Sequence, residues 1–301
     1  LDAVTRSSAV PFSAVTRLVP EAAGILQAAE QVQYSAVLTA CSPLREVLAA
    51  LKYRAYGFRH CKLKVGSAAR DDAATVRRIR RAMGRHVDLR LDANAGWTRE
   101  QTLRLGECLR TQRVSAVEQP LPHEHRRSLR AIRKELGVPI VLDESLCSMS
   151  DAREAIALEA CDVFNIRLSK CGGFLPSLRL AAAAGRAGLG YQLGCQVGET
   201  GILSAAGRHF ATSVAHIRYL EGSYDRHLVT ERLTVQDLTF GYGGVAQAIN
   251  RPGLGIDIDE AAVKRVTRRT LTIPISIRRP RRSERTSLPP DGSPQAARIE
   301  A

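Results

Sequence analysis

The sequence predicts an α/β fold, a closed (β/α)8 barrel of the TIM type, on three observations. Eight short β-like runs alternate with amphipathic helical runs from about residue 33. Strands separated by helices pair in parallel through crossovers, and eight is the number that closes this barrel. The stretch after the first run, Cys41-Ser42-Pro43-Leu44, lacks the glycine-rich phosphate loop that an open doubly wound sheet places there. Finally, one ionisable residue stands at the end of strand after strand. Lys64, Asp92, Glu118, Asp143, Lys170 and Glu199 are spaced about 25 to 29 residues apart, one βα unit per step.

In chain order, residues 1–32 fall outside the alternation and read as one helix over 20–30 preceded by irregular chain. The expected strands are 34–40, 60–65, 87–94, 114–119, 139–145, 163–170, 191–199 and 217–222. The expected helices are 43–56, 71–83, 98–109, 126–136, 150–158, 175–187 and 201–211. Pro43 and Thr98 stand at helix starts, where a missing N–H or a capping hydroxyl is useful, and Gly137 stands at a helix stop. Residues 240–260 are glycine-rich and lead to a short strand-like run at 271–277.

Composition narrows the class further. The chain has 301 residues, of which 45% are hydrophobic and 25% charged, which excludes a collagen, a low-complexity chain and a disulfide-stapled miniprotein. No apolar run approaches the ~18 residues of a membrane span, and Leu1-Asp2-Ala3-Val4 does not open a secretory signal. No membrane partner and a cytoplasmic location are the expectation. The 7 cysteines are odd in number and scattered without a Cys-x-x-Cys pair, so reduced thiols are expected rather than a zinc site or disulfide framework. The net charge of +14 is almost entirely arginine spread over helix faces, with its densest run, Arg278-Arg279-Pro280-Arg281-Arg282, in a basic tail expected to be disordered. With 5% aromatics there is no stacking platform for single strands. Nucleic acid is therefore not the expected partner, and weak salt-sensitive contact of the tail with a polyanion is the minority reading.

Barrel enzymes concentrate chemistry at the C-terminal ends of the strands, where these ionisable groups lie. Lys62 and Lys64, at i and i+2, point to the same side of one strand. Two close ammonium groups disfavour each other's charge, so at least one pKa should fall toward a general base's range. Asp92, Glu118 and Asp143 on three adjacent strands would converge as carboxylates that repel unless a cation joins them. Mg2+, or Mn2+ in its place, would take half of an octahedral oxygen shell from them and leave positions for substrate and water. Asn94 could orient Asp92 from behind. The bland alternative makes Asp143 or Glu144 a cap for the helix that follows, and Glu199 a cap or a partner of Lys170.

The ordered series Lys62–Lys64, Asp92-Ala93-Asn94, Glu118-Gln119-Pro120, Asp143-Glu144-Ser145 and Asn165 to Gly173 with Lys170 resembles the enolase superfamily, in its muconate-lactonizing subgroup. The resemblance covers about residues 33–260. It implies Mg2+ on Asp92, Glu118 and Asp143, with Lys64 and Lys170 on opposite faces of a substrate's α-carbon and Lys62 beside the developing charge. Asn94, Glu144, Asn165 and Glu199 would stand near the substrate or behind the ligands. The implied reaction removes or returns the proton α to the carboxylate of a small molecule through an enediolate. A muconate cycloisomerase-like isomerase or an o-succinylbenzoate synthase-like lyase ranks ahead of a dipeptide epimerase, whose Asp-x-Asp on the last strand is here Leu220-Glu221-Gly222. A catalytically silent barrel acting as a binding protein is the rival from another class. Arg167 stands where the subgroup usually has lysine, which should alter ion pairing behind the site. The family's N-terminal capping domain is expected only as a remnant in 1–32, ahead of a barrel at 33–245, a segment at 246–277 packing back toward the cap, and the tail 278–301. Relatives often form symmetric homo-oligomers, though no interface signature marks one in this chain.

Overall fold

The computed structural model describes residues 1–39 and 41–271. Residues 1–265 form one compact unit; the chain from Val266 forms a second, described as far as Leu271. The strand-like run read at 271–277 and the basic tail 278–301 therefore lie outside the described residues, Leu271 apart.

Among the described residues, ten strands occur in chain order: β1 (Gln31–Gln33), β2 (Ala36–Leu38), β3 (His60–Lys64), β4 (Asp88–Asp92), β5 (Val114–Glu118), β6 (Ile140–Leu142), β7 (Val163–Ile166), β8 (Gly190–Leu193), β9 (Ile217–Leu220) and β10 (Val245–Gln247). Strands β2 to β9 form one parallel eight-stranded sheet in sequence order, which is the (β/α)8 arrangement. The sheet curls until the backbone N–H of Ser35, just ahead of β2, donates to the Leu220 carbonyl at 2.8 Å, joining the two end strands.

The helices follow the local chemistry expected of them. Helix Pro43–Ala55 opens with proline in its first turn. Helix Asp72–Met83 is capped by Asp71, and Arg99–Thr111 by a reciprocal Thr98–Gln101 capping box. Leu129–Leu136 stops at Gly137, which takes the left-handed conformation at φ 66°. Ser148 accepts the Asp151 N–H at the start of Met149–Ala157, so neither Asp143 nor Glu144 caps that helix.

The first 32 residues differ from the expectation. There is no α-helix over 20–30; instead Asp2–Ser7 is helical and two 3-10 segments follow, Phe12–Leu18 and Pro20–Ile25. Gly24 works against an α-helix over 20–30 by backbone entropy, whereas Pro20 stands at a first turn that tolerates it. Phe12 and Ala22 are instead buried, and the Phe12 ring meets Phe174 edge-on at 5.1 Å. Strand β1 pairs antiparallel with β10, and Leu254 N–H donates to Asp2, so the glycine-rich stretch is tied to the start of the chain.

Because strand side chains alternate, the barrel strands feed two of the three apolar clusters among the described residues. Leu63, Leu89, Leu91, Ile140, Leu142, Phe164 and Ile166 face the helices in the main cluster. Ala116, Val141, Val163 and Tyr219 form a small apolar floor inside the barrel. Each of these four stands two residues before a polar group, so the next inward layer is Glu118, Asp143, Asn165 and Glu221.

Candidate active site

The site begins with strand register. Lys62 lies opposite Arg90, Lys64 opposite Asp92, and Asp92 opposite Glu118, so side chains of the same sense are brought to one level. Asp143 follows β6 by one residue, and Lys170 lies in the turn after β7, beyond the strand that was expected to carry it. The strand read at 191–199 ends at Leu193, leaving Glu199 in the loop before helix Gly201–Ser213.

Asp92, Glu118 and Asp143 are each 0% exposed. Three buried carboxylates cannot stand without counter-charge, and four cations on β3 and just after β7 supply it. Lys62 Nζ lies 3.2 Å from Asp92, 3.3 Å from Glu118 and 2.8 Å from Glu221. Lys64 Nζ donates to Asp92 at 2.8 Å and to Asn94 Oδ1 at 2.7 Å, and Asn94 donates in turn to Glu144 at 3.1 Å. Lys170 Nζ donates to Asp143 Oδ1 at 2.8 Å. Arg167 forms an ion pair with Asp143 and lies 3.6 Å from Glu118. Arg90 donates to Glu221 and stacks over the Tyr219 ring of the floor at 4.4 Å. Asn165 Nδ2 and Gln192 Nε2 each donate to Glu118 at 2.9 Å.

The electrostatics act on Lys62 against the lowering that its neighbour Lys64 would bring. Burial alone would lower the Lys62 pKa, but Glu118, Glu221 and Asp92 together outweigh it and raise the value above that of an ordinary lysine. Lys62 is thus a fixed cation rather than a base, because its neighbours are carboxylates more than they are Lys64. Burial pushes the Glu118 carboxyl up to about 7, against Lys62, with Asp92, Glu221 and Asp143 adding to the rise. Glu221 goes the other way: burial would raise it, yet Lys62 and Arg90 hold it at about 2. Asp92 is lowered in the same manner, Lys62 and Lys64 overcoming its burial.

Ten sequence-predicted residues are therefore placed as follows. Lys62, Lys64, Asp92, Glu118, Asp143, Asn165 and Lys170 come together at the mouth, with Asn94 and Glu144 on its rim. Glu199 neither bonds Lys170 nor caps the next helix; its carboxylate accepts from Ser169 Oγ at 2.9 Å and from the Gln196 N–H at 2.8 Å. Glu221, Arg90 and Gln192 were not singled out. The signal was present, since Arg90 precedes Asp92 by two residues as Lys62 precedes Lys64, and Glu221 follows the last stave as Asp143 follows β6. Arg167 lies within the site rather than behind it.

The donors suit a hard divalent cation: three carboxylates on consecutive staves offer oxygen only. Two buried carbonyl oxygens beside Glu118, Asn165 Oδ1 and Gln192 Oε1, have no hydrogen-bond partner. Among the described residues, however, no three acidic, histidine or cysteine side chains stand close enough to form a ready cage. Lys62 bridges the edge between Asp92 and Glu118, and Arg167 the edge between Glu118 and Asp143. Above the layer opens a cavity of about 660 Å3, with Lys64, Arg167 and Glu221 at its base and Tyr56, Phe58, Tyr224 and Phe240 in its wall. Among the described residues no helix is long and apolar enough to cross a membrane, and all seven cysteines are free.

Known proteins of this architecture fit the geometry. The chain is 31% identical over 212 residues to an N-succinyl-L-Arg/Lys racemase of Bacillus cereus, covering 70% of this chain and 56% of that protein. It is 34% identical over 214 residues to a chloromuconate cycloisomerase of Cupriavidus necator, again covering 70% of this chain and 57% of the relative. The chain thus spans little more than half the length of these relatives. The crystal structure of a Cytophaga hutchinsonii dipeptide epimerase complexed with Mg and D-Ala-L-Val superimposes with a TM-score of 0.77 at 25% identity, over 86% of this chain and 68% of that one. The family model for the enolase C-terminal domain-like fold matches residues 45–262. On that match, which takes in every stave from β3 to β9, the chain belongs to the enolase C-terminal domain-like family.

Proposed function

We propose that this barrel moves the proton α to the carboxylate of a small-molecule acid, with Lys64 and Lys170 as the proton carriers. The observation that carries this reading is their placement. They come from staves on different sides of the mouth, and each ammonium is held by a different carboxylate, Asp92 and Asp143 respectively. Lys64 lines the cavity and Lys170 is held on Asp143 after a different stave, and amines supplied from two staves can address a carbon from two directions.

Asp92, Glu118 and Asp143 would hold Mg2+, or Mn2+ in its place, and the ion supplies charge that offsets the negative charge developing on the substrate carboxylate. Lys62, fully buried and held protonated by its acids, adds a fixed positive charge at the same level. Asn94 orients the Lys64 ammonium, and Glu144 orients Asn94. The bonds from β10 and Leu254 to β1 and Asp2 support reading residues 246–265 as a segment that packs back on residues 1–32.

Relatives of the chain include an N-succinyl-L-Arg/Lys racemase, a hydrophobic dipeptide epimerase and chloromuconate cycloisomerases. Glu221, the acid at the end of the last stave, is already bonded to Lys62 and Arg90. That leaves it poorly placed to receive a substrate ammonium, which favours N-acylated amino acids and unsaturated diacids over free dipeptides. The test follows solvent deuterium uptake at the α-carbon of N-succinyl amino acids, dipeptides and muconates with Mg2+ present. Lys64→Ala and Lys170→Ala should each abolish turnover while Mg2+ still binds. Undiminished exchange in either variant overturns the assigned roles.

A further inference from the structure

Arg167 is an unusual neighbour for two carboxylates expected to ligate a metal. It is 9% exposed, it pairs with Asp143 and it lies 3.6 Å from Glu118. A lysine carries a point charge on a flexible stem and can be neutralised by burial, whereas a guanidinium is permanently charged and spreads donors over a plane that can engage two acids at once. Around the site, Asp92, Glu118, Asp143 and Glu221 are already met by Lys62, Lys64, Arg90, Arg167 and Lys170 in direct ion pairs. The buried acids are therefore fully compensated before any ion enters. A divalent cation arriving at Glu118 and Asp143 meets a fixed positive charge on the edge it must share.

We infer that Arg167 is a built-in counter-cation that competes with the divalent metal for Glu118 and Asp143, so that loading the metal requires the guanidinium to leave that edge. This rests on the metal reading given above. The second berth is already in contact: Arg167 Nη1 donates to Gln196 Oε1 at 3.1 Å, on the loop after β8. Two further features fit a group that is held by charge rather than locked in place. Its Nε is buried without a hydrogen-bond partner, and the cavity opens beside it. The arrangement keeps the acid cluster neutralised without metal, at the expense of metal affinity.

The test is calorimetric titration of Mg2+, and of Mn2+ as a second probe, into the full chain and its Arg167→Met and Arg167→Lys variants, beside melting curves with and without the ion. Arg167→Met should bind Mg2+ about tenfold or more tightly than wild type, with Arg167→Lys in between. Without metal the Met variant should melt lower than wild type, and Mg2+ should raise its melting temperature more. Should Arg167→Met fail to fold without metal, Arg167→Lys keeps the comparison. Unchanged or weaker Mg2+ binding in the variants, with wild type binding normally, overturns the inference alone. Binding of neither ion by wild type or by any variant overturns the metal reading and this inference with it.

Discussion

Gln119 follows Glu118 in a left-handed conformation at φ 34°, with its side chain buried between two strand ends. Its amide donates to Leu121 O and Ser145 Oγ, both at 2.8 Å, and its carbonyl accepts from the N–H groups of Asp143 and Ser145. It thus fixes the backbone that carries Asp143 without touching that carboxylate. Gln119→Leu would leave these buried groups unpaired, and we expect a loss of about 1–3 kcal/mol in chemical denaturation together with weaker Mg2+ binding. Full retention of both would show that the loop is held by other contacts. Gly66 acts in a similar way next to Lys64. It sits at φ +87°, and a Cβ there would come 2.5 Å from the Ala93 carbonyl, so only glycine lets the ends of β3 and β4 close together. The Glu-Gln-Pro and Lys-x-Lys motifs were plain in the sequence, but that Gln119 works across to the next strand depends on a register no single motif displays.

At the scale of elements, several of the arginines that make the chain so basic join neighbouring units. Arg99–Glu135, Arg126–Glu154, Arg130–Glu159 and Arg133–Asp162 are ion pairs at 2.7–3.2 Å, each reaching from one βα unit to the next. Most are exposed enough that each contributes little by itself. Glu46 differs, being 0% exposed and paired with Arg70 at 2.6 Å and Arg78 at 2.9 Å, which ties helix Pro43–Ala55 to Asp72–Met83. Burial would raise its pKa, but these two arginines and the Cys41 N–H bring it below the ordinary 4.5. A carboxyl depressed by folding stabilises fully above its unfolded value, and that stability is lost as pH falls through the folded value. The urea midpoint should therefore fall below about pH 4.5 more steeply in wild type than in Glu46→Gln. At pH 7 that variant should be less stable by about 1–3 kcal/mol. Parallel acid limbs would rule this out. Thr98→Ala, which removes the capping box of Arg99–Thr111, should cost about 1 kcal/mol by the same measurement, and no change would mean that packing alone fixes that helix start.

On the scale of the whole molecule, closure of the barrel is an electrostatic matter as well as a backbone one. Glu221 at the end of β9 receives Lys62 from β3 and Arg90 from β4, across the interior, all three nearly or fully buried. Glu221→Gln leaves two buried cations with one carboxylate fewer, and breaking a buried pair in this way costs about 3–5 kcal/mol. We expect a large fall in denaturation midpoint and weakened protection of β2 and β9 amides in hydrogen exchange. Wild-type stability would show that the ring is closed by its backbone and floor alone.

The sequence by itself determined the alternation of strands and helices, the (β/α)8 count and the level at which Lys64, Asp92, Glu118 and Asp143 would stand. Those features are local: period-two and helical patterning, caps, and one ionisable group per repeat. Only the tertiary structure decided how charge is shared among those groups. Lys62 became a fixed cation, Arg167 came to rest on two acids, and Glu221 joined a network spanning the barrel, because each of these depends on which side chains meet across the interior. The segments Phe12–Leu18 and Pro20–Ile25 likewise took their 3-10 form from the surface they pack on, where Phe12 and Ala22 find cover, rather than from any helical preference of their own.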